Sequence, residues 1–371
     1  MAFASAPFDS VEDADVVLRS SDNVEFFVFK AFLCYASSFF KNLFSDSNPD
    51  EMKDSLPVAP VAETAKNFRT LLLFCYPGEP PPLESFLEVT ELYDAVSKYC
   101  MDSVEKRMQK SLLKSPLILQ EPVRLFAISV RYGWQEVCEA AAKNTLFHPP
   151  SDHPSIDELR LITGLDYRRL LDYHKRCGAA AEATVLHTSS SRRNMYWRGI
   201  PEPSSSWWSA GVCCPDARSN GCWVSVAPWK EYHVHRWLMQ YFEDVAQRLK
   251  ERPRGKTVTD DDIMNKLFSS ISCAPCKATM GTEMRILTDR LSLEVEKVVS
   301  QVHLGTPLRS ASLSFPFRSQ LSWIYVRPQT CRPLSQFTGN MMHCIYGYSD
   351  SSNRTGKRSV SRNQPMFSAP Y

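Results

Sequence analysis

Residues 14–30 carry two short apolar runs around a polar turn. Val16 and Leu18 alternate with Asp15 and Val17, and after Ser21-Asp22-Asn23 comes Val24-Glu25-Phe26-Phe27-Val28-Phe29, rich in β-branched and aromatic side chains. This predicts two strands joined as a hairpin. From Lys30 to Phe44 the period changes. Phe32, Leu33, Ala36, Phe39, Phe40, Leu43 and Phe44 recur at spacings of three and four, which predicts one amphipathic helix ended by Asn48-Pro49. Residues 55–61 alternate with two prolines and read as a short edge strand. Thr64 is placed to cap a helix that Pro77-Gly78 stops.

Three prolines at 80–82 form a stiff connector. Residues 84–113 then carry one apolar stripe through Val89, Leu92, Tyr93, Val96, Tyr99, Cys100, Val104 and Met108, with Asp102 interrupting it so that two helices fit as well as one. Helical spacing continues over 121–147, with a break near Tyr132-Gly133-Trp134. A loop at Pro149-Pro150 precedes a helix opened by Ser155 or Asp157, then a second one for which Gly178 is a natural C-cap. Residues 187–230 lose all period while holding Trp197, Trp207, Trp208, Trp223 and Trp229. Further helices are expected over 232–252, 260–270 and 280–303.

Composition narrows the class. Hydrophobic residues make up 43% and charged residues 23%, the balance of an ordinary globular chain. The net charge of +2 is unevenly spread: from residue 306 onward there are eight Lys/Arg, twelve Ser, six Pro and one acid, so the first 305 residues carry a net charge of −5. Nucleic acid is not indicated as a partner. The start carries Asp9, Glu12, Asp13 and Asp15 and no apolar core of a secretory signal, and no apolar run reaches membrane-spanning length. A cytoplasmic or nuclear protein is expected, with the twelve cysteines as thiols or metal ligands.

The segment from Asp15 through Phe26, Lys30, Ser37 and Phe39 to Phe44 resembles the opening of BTB/POZ domains. That pattern is an aspartate, an apolar strand, a second strand ending in His-Lys, then a helix with serine and phenylalanine. Phe29 stands where histidine is usual, and Asn23 where the turn often has glycine. The resemblance covers roughly the first 110 residues, and Leu125 to Ala142 looks like the helical extension that follows many fungal BTB domains. It implies an α+β fold, a small sheet with a helix bundle, followed by a mostly α-helical region. The expected organisation is a BTB/POZ domain at 8–115, a helical extension at 116–180, a Trp/Cys-containing loop region and helices at 181–304, and a basic Ser-rich tail at 305–371. It also implies association with protein partners, including a homodimer, although the roughly fourteen residues before the first strand read as irregular. Some BTB proteins bind a cullin and act as substrate adaptors of ubiquitin ligases. Their contact motif, an apolar residue, any residue, then glutamate, corresponds here to Met52-Lys53-Asp54, with aspartate in the last place. Read without the resemblance, Met52 caps the local core and Asp54 is a solvated loop acid. A zinc-stabilised scaffold or a transcription-associated regulator, without ligase activity, is the alternative.

Few residues suggest chemistry. His174 and Cys177 share a helix face, and Cys273-Ala-Pro-Cys276 is a CxxC, so these four form a candidate structural zinc set. Cys213, Cys214, Cys222, His187, His233 and His235 are a second pool of donors. Buried free cysteine is the plainer alternative. A thioredoxin-like role for CAPC needs a preceding strand, and Met264–Phe268 reads as helix. No GxGxxG, Walker loop, HExxH or GxSxG occurs, so no enzyme is expected.

Overall fold

The computed structural model describes residues 2–12, 14–46, 51–185, 222–226 and 230–305, with backbone alone for 222–226 and 230–234. Strand β1 (Ala2–Phe3), β2 (Val16–Arg19), β3 (Val24–Val28), β4 (Met52–Lys53) and β5 (Leu56–Pro60) form one sheet in the order β1-β3-β2-β5-β4. The predicted hairpin is present: β2 pairs antiparallel with β3, Leu18 opposite Phe26, around a turn in which Asn23 has φ 61°. Asparagine tolerates that left-handed conformation better than most residues. Alternation then sends Val16, Leu18, Phe26 and Val28 into the helical core, and Val17, Phe27 and Val58 into a small cluster on the opposite face.

The helices follow the apolar periods, with informative departures. The single helix expected over 30–44 is two, α1 (Lys30–Ala36) and α2 (Ser38–Asp46). Ser37 breaks it: its hydroxyl donates to the carbonyl of Tyr99 at 2.6 Å and accepts from the amide of Phe40 at 3.1 Å. The first turn of α1 has no cap on its own strand. Asp15 supplies one from β2's approach, accepting the Lys30 amide at 2.5 Å. α3 (Ala65–Cys75) starts at Thr64, whose hydroxyl accepts the Asn67 amide as the sequence suggests. The 84–113 stripe divides into α4 (Phe86–Lys98) and α5 (Asp102–Leu112), with Cys100 at φ 52° between them.

β5 is not the edge strand its prolines suggest. It runs parallel to β2, and β4 covers its outer side by pairing Met52 with Pro57 and Lys53 with Leu56. The described residues before β2 are likewise structured. β1 adds in parallel to β3, and Arg69 holds the segment by donating to the carbonyls of Ser5 and Ala6 at 2.8 and 2.6 Å.

Beyond residue 116 the described chain is largely helical. α6 (Leu117–Gln120) leads into α7 (Pro122–Tyr132) and α8 (Gln135–Thr145), separated at Gly133, whose φ of 76° suits a residue without Cβ. Trp134 follows the break and is fully buried. Its Nε1 donates to Glu105 of α5 at 2.7 Å, and its ring packs edge-on against Tyr93 of α4, which stacks on Tyr132. The core is therefore continuous from Phe8 through this aromatic junction to Val299.

The helix expected from Asp157 is only a 3-10 turn, Asp157–Leu161, after which α9 (Gly164–Val185) runs on through Gly178. Gly178 caps nothing. A Cβ there would sit 2.5 Å from the carbonyl oxygen of Lys250, on α10 (Arg236–Glu251). The glycine serves close helix–helix approach, a role that local sequence does not separate from termination. Within the 187–230 stretch read as irregular, Cys222–Val226 (β6) pairs antiparallel with Lys230–Val234 (β7), so α10 begins four residues later than expected. α11 (Asp261–Ser270) matches its expected range. α12 (Ala274–Ser300) starts six residues before the predicted helix, so that the CxxC forms its N-cap and first turn. Residues 306–371, the predicted tail, lie outside the described residues.

Gly178→Ala should destabilise the protein by on the order of 1–3 kcal/mol, the scale of overpacking a tight contact. Gly281→Ala, in α12 with open space around the added Cβ, should be neutral or stabilising by about 0.5–1 kcal/mol. Chemical denaturation of the two variants checks the contrast. Equal responses would contradict the close-approach reading.

Candidate functional site

The predicted contact residues lie on a tight hairpin. β4 and β5 are joined by Asp54 and Ser55, with φ of 49° and 66°. Two successive left-handed residues give the primed turn that matches strand twist in two-residue hairpins. The ladder continues past the strand, since the Val58 amide donates to the Glu51 carbonyl at 3.0 Å. Period-two alternation puts Lys53 on the outer face of the sheet, with Leu56 and Glu25, and Met52 on the other face, opposite Pro57. Met52 is 56% exposed, and so does not cap the local core; Asp54 is exposed at the turn.

A buried carboxylate holds this hairpin. The side chain of Glu25 is fully buried on the sheet's outer face and receives Arg19 at 3.0 Å and the ammonium of Lys53. Arg19 also pairs with Glu51 at 2.6 Å, and Lys53 lies over the Phe3 ring, 4.7 Å from its centroid. Burial opposes ionisation of Glu25, but the hydrogen bonds from Lys53 and Arg19 outweigh it and hold its pKa below the ordinary value. Hydrogen bonds to Glu51 and Glu25 raise the pKa of Arg19. The network crosses β2, β3 and β4, so it fixes where the hairpin projects. Sequence reading missed it, because Glu25 looks like any polar residue in an alternating strand.

Two aromatic side chains are also exposed. Tyr35 is 91% exposed on α1 and Phe39 40% exposed on α2. Large apolar surface left in water is a recurrent mark of protein contacts.

The candidate zinc residues are placed less favourably. His174 and Cys177 share α9 as predicted, and both are buried. His174 already engages the His148 carbonyl at 3.3 Å through Nε2, and burial pushes the Cys177 thiol up to about 11 beside its hydrogen-bond partner Tyr173. Cys273 is the N-cap residue of α12 and Cys276 is buried in its first turn. Among the described residues no group of three or more His, Cys, Asp or Glu is placed to hold a metal ion, so the four are not gathered around one point. Of the second pool, His187, Cys213 and Cys214 lie outside the described residues; Cys222 and His233 belong to β6 and β7, and His235 stacks on Trp237. The element before the CxxC is the helix α11 and not a strand, which leaves the thioredoxin arrangement unformed.

Near His174, burial lowers the pKa of His153 to about 4, with the neighbouring His174 and His148 acting in the same direction. Its Nδ1 lies 3.3 Å from the Tyr167 hydroxyl.

Residues 6–116 match the family model of the BTB/POZ domain. A comparison with curated proteins finds no match.

Two outcomes follow from these charges. Glu25→Gln should lower stability by about 1–3 kcal/mol, because two cations lose a buried partner. It should also speed hydrogen exchange at the Val58 amide; unchanged exchange would show that the network does not hold the hairpin. The second outcome concerns pH. The folded state keeps His153 neutral, with a pKa of about 4 against 6.5 ordinarily. Its contribution is therefore complete above pH 6.5 and is lost as the pH falls toward 4. Thermal midpoints followed across this range should fall more steeply for the wild type than for His153→Gln.

Proposed function

We propose that the chain, which carries a BTB/POZ domain at residues 6–116, works as a protein-interaction adaptor and recruits a cullin through the β4–β5 hairpin as a substrate adaptor of a ubiquitin ligase. The BTB/POZ domain is a protein–protein interaction module. The observation that carries the finer reading is Met52, a large apolar side chain 56% exposed on a hairpin that is itself held rigidly by Glu25. An exposed apolar anchor on a fixed scaffold loses little conformational freedom on binding, so more of its contact energy appears as affinity. Asp54 supplies the carboxylate beside it, shorter by one methylene than glutamate.

The same domain has a second outlet in self-association, favoured by the exposure of Tyr35 and Phe39. A homodimer through α1 and α2 presents two hairpins at once, which raises avidity without new contacts. The reading places the protein in the cytoplasm or nucleus. Among the described residues no helix is long and apolar enough to cross a membrane.

Binding to purified cullin N-terminal domains, measured by pull-down and interferometry, tests the reading. Met52→Ala should weaken a detected interaction by about tenfold, the scale of a single apolar anchor. Asp54→Lys should weaken it further. Absence of binding to every cullin tested removes the ligase assignment and leaves the general interaction role.

A further inference from the structure

A groove lies away from the hairpin, between the connector at residues 78–82 and the end of α5, with a volume of about 630 Å³. One wall is the polyproline run Pro80-Pro81-Pro82, and the other carries Arg107, Lys110 and Lys114; Glu79 is the one acid in the lining. Arg107 is committed to the wall itself. Its guanidinium donates to the carbonyls of Phe74, Tyr76 and Gly78 at 2.5, 2.9 and 2.8 Å, fixing the connector against α5. Lys110 and Lys114 are exposed, and among the described residues neither has an acidic partner. Lys66, Lys98 and Lys250, by contrast, pair with Glu88, Glu63 and Glu182 at 2.9 Å. The groove thus keeps two uncompensated cations opposite an apolar wall.

We propose that this groove binds an extended acidic peptide segment of a partner protein. Lys110 stands in the last turn of α5 and Lys114 two residues past its end, where the Lys114 amide donates to the Ser111 carbonyl at 3.1 Å and continues the turn, so the two lie about one turn apart, roughly 6 Å of rise. Alternate residues of an extended peptide are about 6.6 Å apart. Carboxylates at alternate positions therefore face the two ammonium groups, while the side chains between them meet the prolines. Proline offers no amide to a strand ladder, so selection falls on side-chain charge and apolar contact rather than on backbone pairing. The wall is preformed and stiff, which limits the ordering cost of binding. The lining contains no aromatic ring on which a base would stack, and Glu79 opposes a continuous polyanion. The chain's own residues 306–371 carry eight Lys/Arg and one acid, so their composition does not supply an acidic ligand.

The test uses the full chain and a fluorescein-labelled nonapeptide alternating glutamate with leucine, followed by anisotropy. Saturable binding is expected in roughly the 10–100 µM range. The double variant Lys110→Gln with Lys114→Gln should raise Kd by at least about tenfold, and both side chains are exposed, so the fold is kept. The same peptide with glutamine for glutamate should lose a similar factor. Unchanged affinity in either comparison overturns the proposal. So does tighter, lysine-dependent binding of single-stranded DNA or of phosphatidylserine vesicles, which would reassign the groove to nucleic acid or membrane. Met52→Ala should leave peptide binding intact, so failure of this site and failure of the hairpin reading are separable.

Discussion

A carboxylate buried to zero exposure persists in its charged form only if cations reach it, and Glu25 meets that condition with Arg19 and Lys53. Isolated burial would neutralise it, and removal of both cations would leave an uncompensated charge inside the protein. The condition is geometric as much as electrostatic. It requires β2, β3 and β4 to lie in one register, and it brings Glu51 into the same network through Arg19. The short β4 strand, only two residues long, would otherwise have little to hold it, because so short a ladder makes few hydrogen bonds. The hairpin that presents Met52 is in this sense an electrostatic construction on an apolar sheet.

The opposite face of the sheet is held by a different force. Its side chains enter a core that does not end with the α+β domain. Trp134 lies beyond the domain in sequence yet is buried against α4 and α5, with its one polar atom satisfied by Glu105. Burying such a side chain contributes on the order of 2–3 kcal/mol. The aromatic junction therefore couples the helices after residue 116 to the interaction domain. Close approach of α9 and α10 at Gly178 continues the same packing. The hairpin and the proline-walled groove are thus carried on one continuous core.

The periodic elements were legible in the sequence because their causes are local. Alternation in residues 16–28, the Thr64 cap and the Gly133 break each depend on neighbours within a few residues, and the structure repeats them. The BTB/POZ pattern was legible for the same reason, as order and spacing along the chain. Met52 and Asp54 were legible only as positions, since the sequence held no information on their exposure.

Tertiary structure decided what depends on residues far apart in the chain. Ser37 breaks a helix because Tyr99, 62 positions away, offers its carbonyl. Asp15 caps α1 across the hairpin, and Gly178 continues a helix because Lys250 passes beside it. β5 lies inside the sheet because two residues of β4 cover it, although its prolines describe an edge. The zinc set shows the same limit from the other side. Spacing paired His174 with Cys177 and Cys273 with Cys276, but only the packing of α9 and α12 determines whether the pairs meet, and among the described residues no such group forms. Sequence by itself determined which segments become helix or strand and which faces are apolar, because those follow from short-range sterics and period. Partners, breaks and surface chemistry were settled by long-range contacts, for which a single sequence carries no spacing rule.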